Sequence, residues 1–288
     1  MAPTPGPDFL CLGMAKAGTG WLGDQLRFHP QFWIPVQELG YLDRERPPLQ
    51  VAKKRLERLR KQSERKHPAP ARPLDPRDLT FLEEIYASAG KPRDLDVYIA
   101  AFRHKGESKT GDISPGYVMM DGAVAAELCE KLPHLRIVLL LREPLDRAWS
   151  HLSMWSRVNK FNPEILEKPE RFRSYLQRQQ MTGERAFPTR LVEHWSKHIP
   201  EGRFRYFFFD DIAKRPEEAR REIFTFIGGD PNISSGELAA GYNRKADSKK
   251  LEMTPEIRTV LLDHFAGELR ACAALGEPAT GWARRYGL

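Results

Sequence analysis

Two short stretches of the chain hold residues whose types and spacing could handle an anion. The first is LCLGMAKAGTGWL, residues 10–22, where Gly13 and Gly18 have the four-residue gap of a nucleotide phosphate loop. Such a loop normally continues Lys-Ser or Lys-Thr after its second glycine. Here Thr19 and Gly20 follow, and the lysine, Lys16, lies inside the loop. A strand, then glycines, then a helix start would turn backbone N–H groups and the positive end of a helix dipole towards an anion. Lys16 could then reach over that anion and place charge on a bridging oxygen. On the loop alone, an ordinary strand-to-helix turn with an exposed lysine is an equal alternative. The second stretch is LLLREPLDRAWSHL, residues 139–152. Nucleoside triphosphatases usually carry an acidic residue at the end of such a strand to help hold magnesium. An arginine there, Arg142, would repel a metal ion and attract a phosphate. Ser150 lies eight residues on, two helical turns into the next element, so the two could grip one phosphate from two sides. The competing assignment for Arg142 is an ion pair with Glu143 or Asp146.

The elements that must position these residues alternate between strand and helix. DFLCLG (8–13) reads as a short buried strand, and residues 19–29 as a helix with Trp21, Leu22, Leu26 and Phe28 on its apolar side and Thr19 as its cap. GAVAAELCEKL (122–132) reads as a helix stopped by Pro133. LRIVLLL (135–141) is a continuous apolar run, as a parallel strand buried on both faces requires, and Pro144 starts a helix reaching about Arg157. RFRYFFF (203–209) predicts another strand, residues 215–229 a helix, and 254–276 a long helix with a Thr cap and a Gly end. Strands followed by helices imply an α/β fold: a P-loop-like, doubly wound parallel sheet flanked by helices, in one domain over 1–288. Two polar stretches interrupt it. Residues 43–80 are basic and proline-rich, an insertion whose basic part could be an exposed helix. Residues 157–190 could form a helical lid.

A loop of the form K-x-G-T-x-W-L, followed by a strand running into L-R-x-P-x-x-R-x-x-S, resembles the sulfotransferases that use 3′-phosphoadenosine 5′-phosphosulfate (PAPS). Lys16, Gly18, Thr19, Trp21, Arg142 and Ser150 match position by position. The resemblance implies that Lys16, Ala17, Gly18, Thr19, Gly20 and Trp21 hold the 5′-phosphosulfate and that Arg142 and Ser150 hold the 3′-phosphate. It implies no metal. HPQFWIPVQELGYLDRE (29–45) is similar to the family segment that carries the general base, which puts Glu38 in that role; Gln37, Gly40 and Tyr41-Leu42 depart from the usual lysine, histidine and aromatic pair. Asp43 matches a family aspartate, and GDISPGYV (111–118) resembles the segment near the acceptor, so Asp43 and Tyr117 are implied on the acceptor side. NRKADSKK (243–250) stands where the family has a basic loop closing over the nucleotide, which would make Arg244 and Lys245 nucleotide contacts.

The whole-chain properties fit this reading. The chain has 288 residues, 41% of them hydrophobic, enough for a sizeable core. No apolar run approaches a membrane span, and the N-terminal residues lack a basic start and a long apolar stretch, so no signal peptide is expected. Three scattered cysteines, Cys11, Cys129 and Cys272, have no metal spacing and fit a reducing, cytoplasmic location. A net charge of +7 leans towards anionic partners. The expected acceptor is a hydroxyl of a saccharide, lipid or small natural product. The basic middle would suit an anionic saccharide, whereas Trp33, Tyr41, Tyr117 and Trp155 would suit a lipid or an aromatic compound. Two rival readings stand beside this one. One is a P-loop kinase needing ATP and magnesium, against which the missing Lys-Ser/Thr and Arg142 argue. The other is a non-enzymatic polyanion binder using the basic run at 51–66, which lacks aromatic residues for base stacking; no nucleic acid is expected.

Overall fold

The computed structural model describes residues 4–43, 48–63, 73–178, 184–233, 238–243 and 249–288. Its centre is a five-stranded sheet in the order β2-β3-β1-β4-β5, formed by β1 (Phe9–Cys11), β2 (Phe32–Trp33), β3 (Lys109–Ile113), β4 (Arg136–Leu141) and β5 (Phe204–Phe208). Every neighbouring pair is parallel, with Phe9 beside Gly111 on one side and Arg136 on the other, and Leu141 beside Phe208. The apolar run of β4 is the reason it lies near the centre: Ile137 to Leu141 are all fully buried. The connections after β1 and β4 leave in opposite directions, so a crevice opens between their carboxyl ends. That switch point is where open α/β sheets bind ligands.

The helices flank the sheet. Helix α1 (Thr19–Arg27) follows β1, and its cap is Gly18 rather than Thr19: Gly18 has φ 102°, which side-chain-bearing residues rarely adopt, and makes no side-chain cap bond. Thr19 is therefore the first helical residue. The described residues of the basic insertion are largely helical, as α2 (Leu49–Ser63) and the start of α3 (Pro76–Ala87). Helix α2 packs on α3 and is tied to it by an Arg60–Glu83 ion pair. Helices α4 (Leu95–Ala101) and α5 (Gly122–Lys131) precede β4, and α6 (Pro144–Arg157) follows it with Pro144 at its first turn. Of the polar stretch 157–190, α7 (Pro169–Arg178) buries Phe172 and Leu176 against α11 (Pro255–Ala271), where Arg173 pairs with Asp263 at 2.8 Å. Between them in sequence lie α8 (Pro188–His198), α9 (Phe209–Lys214), which begins directly at the end of β5, and α10 (Pro216–Phe226). Short α12 (Thr280–Arg284) closes the described chain. No helix among the described residues is long and apolar enough to cross a membrane.

Candidate active site

The β1–α1 loop is fixed to β4 through the backbone. Met14 N–H donates to Leu140 C=O at 2.7 Å, and Leu140 N–H donates back to Gly13 C=O at 2.5 Å. Ala17, fully buried, donates to Met14 C=O at 3.1 Å and closes the turn. The first N–H groups of α1, those of Thr19, Gly20 and Trp21, have no partner inside the helix and sit at its positive end. Lys16 takes φ 73°, and its ammonium lies 4.0 Å from Met154 Sδ on α6. Arg142 leaves the end of β4 and donates from Nη1 to the Lys16 carbonyl at 3.0 Å, with its guanidinium 4.3 Å above the Phe209 ring. Its Nε is buried with no hydrogen-bond partner. Burial lowers the Arg142 pKa, opposed by Asp146, Glu143 and Asp210. Neither Glu143 nor Asp146 forms an ion pair with it. Glu143 caps α6, accepting from Leu145 N–H at 2.9 Å and Asp146 N–H at 2.6 Å, and Asp146 pairs with Arg285 at 3.3 Å.

These groups share one cavity of about 710 Å³. Lys16, Gly18, Thr19, Gly20, Trp21, Arg142 and Ser150 line it; Ala17 supplies only its backbone turn. Returning segments close the cavity beside the glycine loop. Trp21 Nε1 donates to Ala240 C=O at 2.6 Å, Trp149 Nε1 to Leu251 C=O at 3.0 Å, and Leu251 N–H to Ser153 Oγ at 3.1 Å. Asn243 and Lys250 line the wall there; Arg244 and Lys245 lie outside the described residues.

Glu38 and Asp43 line the same cavity at its other end. Glu38 takes φ 60° with its side chain exposed, and its N–H bonds Ile113 C=O at 2.8 Å at the end of β3. Asp43 packs so closely on Gly116 that a Cβ there would lie 2.3 Å from Asp43 Oδ1. That oxygen is buried and accepts no hydrogen bond. Burial raises the Asp43 pKa; Arg185, Arg55 and Arg93 pull it down, and Glu38 adds to the rise. Beneath them is a carboxylate that sequence reasoning passed over. Asp112, buried and with its pKa pushed up to about 6 by burial, accepts from Ser114 Oγ at 2.6 Å, Tyr117 OH at 2.5 Å and Tyr98 OH at 3.1 Å. Ser114 Oγ and Tyr117 OH in turn accept the Gly40 and Leu42 N–H groups, each at 3.2 Å. Tyr117 is fully buried and does not reach the cavity; it positions the chain before Asp43 instead of touching an acceptor. Trp33 and Tyr41 are likewise buried and outside the lining, because Trp33 Nε1 donates to Asp78 at 2.7 Å and Tyr41 OH to Asp94 C=O at 2.8 Å. Trp155 lines no part of the cavity and packs edge-on to His151 at 4.5 Å.

Some lining residues had no legible sequence signal. Arg55 comes from the insertion, where α2 brings it back to donate to Gln37 C=O at 3.0 Å. Met154, Arg157 and Phe209 are placed by helices α6 and α9. Arg157 is the one described residue of the 157–190 stretch on the cavity wall. Among the described residues, no cluster of three metal-ligating side chains occurs.

Comparison with known proteins adds the family. A profile described as "Sulfotransferase family" matches residues 7–230, most of the chain, including the Lys16 loop and the Arg142–Ser150 stretch. The chain belongs to the sulfotransferase family. Membership supports sulfotransferase activity. The structure is similar to a sulfotransferase from Alicyclobacillus acidocaldarius (21% identity, TM-score 0.60, 93% of this chain and 95% of that one). It is also similar to the sulfotransferase domain of the Synechococcus PCC 7002 olefin synthase (15% identity, TM-score 0.52, 99% and 96% covered) and to the sulfotransferase domain from the curacin biosynthetic pathway (14%, 0.51, 99% and 96%). These likenesses establish the P-loop-like fold. No curated protein matches the chain.

Proposed function

We propose that this sulfotransferase takes the sulfuryl group from PAPS and passes it to a hydroxyl of a saccharide, lipid or small natural product. The observation that carries the proposal is a single cavity that joins a glycine loop with a mid-loop lysine, a strand-end arginine and, opposite them, a carboxylate. The residues fit such a donor: Arg142 Nε is buried and unpartnered, and Thr19, Gly20 and Trp21, which open α1, line the same space. The donor would supply a sulfuryl group on a good phosphate leaving group. In this reading Glu38 takes the proton of the acceptor hydroxyl. Lys16 and the amides of Thr19, Gly20 and Trp21 stabilise charge growing on the phosphate oxygen. Arg142 and Ser150 hold the 3′-phosphate and so fix the reacting groups in line. Asp43 Oδ1, without a donor of its own, accepts from an acceptor hydroxyl.

Calorimetric titration with adenosine 3′,5′-bisphosphate, with ATP plus magnesium as comparator, tests the reading. Tight bisphosphate binding without metal is the expected result. Binding of ATP–magnesium but not of the bisphosphate would overturn the donor assignment and favour a kinase.

A further inference from the structure

The motif on α6 contains a second arginine, Arg147, to which the reading above gives no task. It is 4% exposed, yet its Nε and Nη2 are buried and find no hydrogen-bond partner. The acids nearby are engaged elsewhere. Glu143 caps the helix, and Asp146 and Asp210 pair with Arg285 at 3.3 and 3.4 Å. The charges that act on Arg147 and its surroundings are positive: Arg142 beside it, and Lys16 beside His151, one turn further along α6. His151 offers no compensation. Both its ring nitrogens are buried without partners, and burial, Arg147 and Lys16 push its pKa down to about 4, so it is neutral at physiological pH. Burial and Arg142 lower Arg147 to about 10, which still leaves it charged. A guanidinium buried without an acid is costly, and proteins retain one where an anion completes it.

We propose that Arg147 is a positioning residue for the nucleotide: an uncompensated buried guanidinium behind Arg142 whose charge is balanced when a phosphate occupies the seat between Arg142 and Ser150. The proposal rests on the donor reading above. Arg147 does not line the cavity, where Ser150, Ser153, Met154 and Arg157 form the α6 wall, so it acts through its field on the phosphate and on Arg142. The free protein carries the repulsion between the two guanidinium groups, and phosphate binding relieves it. A structural arginine would behave in the opposite way, because removing it would leave its partners unsatisfied and lower stability.

The test is calorimetry with adenosine 3′,5′-bisphosphate and adenosine 5′-phosphate on wild type, Arg147→Met and Arg147→Lys, with ligand-free melting of each. Arg147→Met is expected to weaken bisphosphate binding at least about tenfold, or roughly 1.4 kcal/mol, and 5′-phosphate binding by less than about threefold. Its ligand-free melting temperature should be unchanged or higher, and Arg147→Lys, which keeps the charge, should bind the bisphosphate within about threefold of wild type. Wild-type bisphosphate affinity in Arg147→Met would overturn the inference and leave the donor reading intact. So would a variant that melts lower and loses both nucleotides equally, or one that does not fold. A wild type that binds no bisphosphate would bring down the donor reading itself.

Discussion

Replacing Arg142 by alanine should separate nucleotide recognition from folding, because the side chain makes structural contacts and is assigned the 3′-phosphate in the proposed function. Its structural work is small. It donates one hydrogen bond, to Lys16 C=O at 3.0 Å, and stacks on Phe209 at 4.3 Å. The bond contributes about 1 kcal/mol and the stack about 0.5–1 kcal/mol. Against this, the variant no longer buries an unpartnered Nε, a gain of about 1 kcal/mol. The net loss is about 0.5–1 kcal/mol, a fall in melting temperature of roughly 1–4 °C. The binding loss should be larger. A guanidinium bonded to a phosphate contributes about 1.5–3 kcal/mol, and near the upper value its removal weakens adenosine 3′,5′-bisphosphate roughly a hundredfold. Adenosine 5′-phosphate lacks the group that Arg142 is assigned, so its affinity should change little. Calorimetry with both nucleotides, beside thermal melting, reads all three quantities. If bisphosphate affinity stayed within about threefold while the melting temperature fell as expected, Arg142 would be only a stitch between β4 and the Lys16 loop, and the phosphate seat would be misassigned.

Three other changes probe separate parts of the site. Glu38→Gln should lower turnover by about 10²–10⁴-fold while leaving bisphosphate affinity at the wild-type value; near-normal turnover would remove Glu38 as the base. Gly116→Ala places a Cβ 2.3 Å from Asp43 Oδ1 and must displace that carboxylate, so the KM for the acceptor should rise with the bisphosphate Kd unchanged. An unchanged acceptor KM would mean that Asp43 does not touch the acceptor. Burial raises the Glu143 pKa from 4.5 to about 7, so the folded carboxyl keeps a proton that the unfolded chain has already released. Stability from this group is full below about pH 4.5 and is lost as pH rises through 7. From pH 6 to pH 8 wild type should lose about 1 kcal/mol more than Glu143→Gln in urea denaturation, and parallel pH profiles would contradict the assignment.

The legible parts of this protein were those whose causes are local. The continuous run of β4 and the proline that opens α6 fix that strand–helix unit with no help from elsewhere, and with it Arg142 and Ser150. The glycine spacing likewise announced the loop at Lys16. The position of the α1 cap was misjudged by one residue because Thr19 has the better capping side chain, but only Gly18 tolerates φ 102°. Strand β3, KTGDI, escaped notice since it contains a glycine and an aspartate, both poor strand formers. It is a strand because β1 and β2 pair with it on either side, and Asp112 is tolerated there because it finds three hydroxyl donors in the interior. Arg55 was hidden for a related reason: a charged helix in a charged insertion reads as solvated, and only its packing on α3 turns that arginine back to Gln37 and the cavity.

The two ends of the cavity are therefore built by different means. The end at Lys16 hangs on backbone bonds between the Gly13–Met14 loop and Leu140, so its geometry follows from the sheet itself. The end at Glu38 hangs on side chains. Asp112 gathers Ser114, Tyr117 and Tyr98, and the first two of these hold the Gly40 and Leu42 amides that flank the path from Glu38 to Asp43. Outside that hub, Tyr41 is anchored to Asp94, and Arg93 donates to Asp43 C=O at 2.8 Å. Substitutions in α2–α4 can thus reshape the end at Glu38 while the loop at Lys16 stays on β4. The converse also holds for Tyr117→Phe: deleting one hydroxyl removes the shorter of the two bonds to Asp112 Oδ2, leaving Tyr98 alone on it, and unpairs the Leu42 amide. Its effect should appear as a loss of stability and of acceptor turnover, with bisphosphate affinity retained. A variant that instead lost nucleotide affinity would show that the two ends are not independently supported.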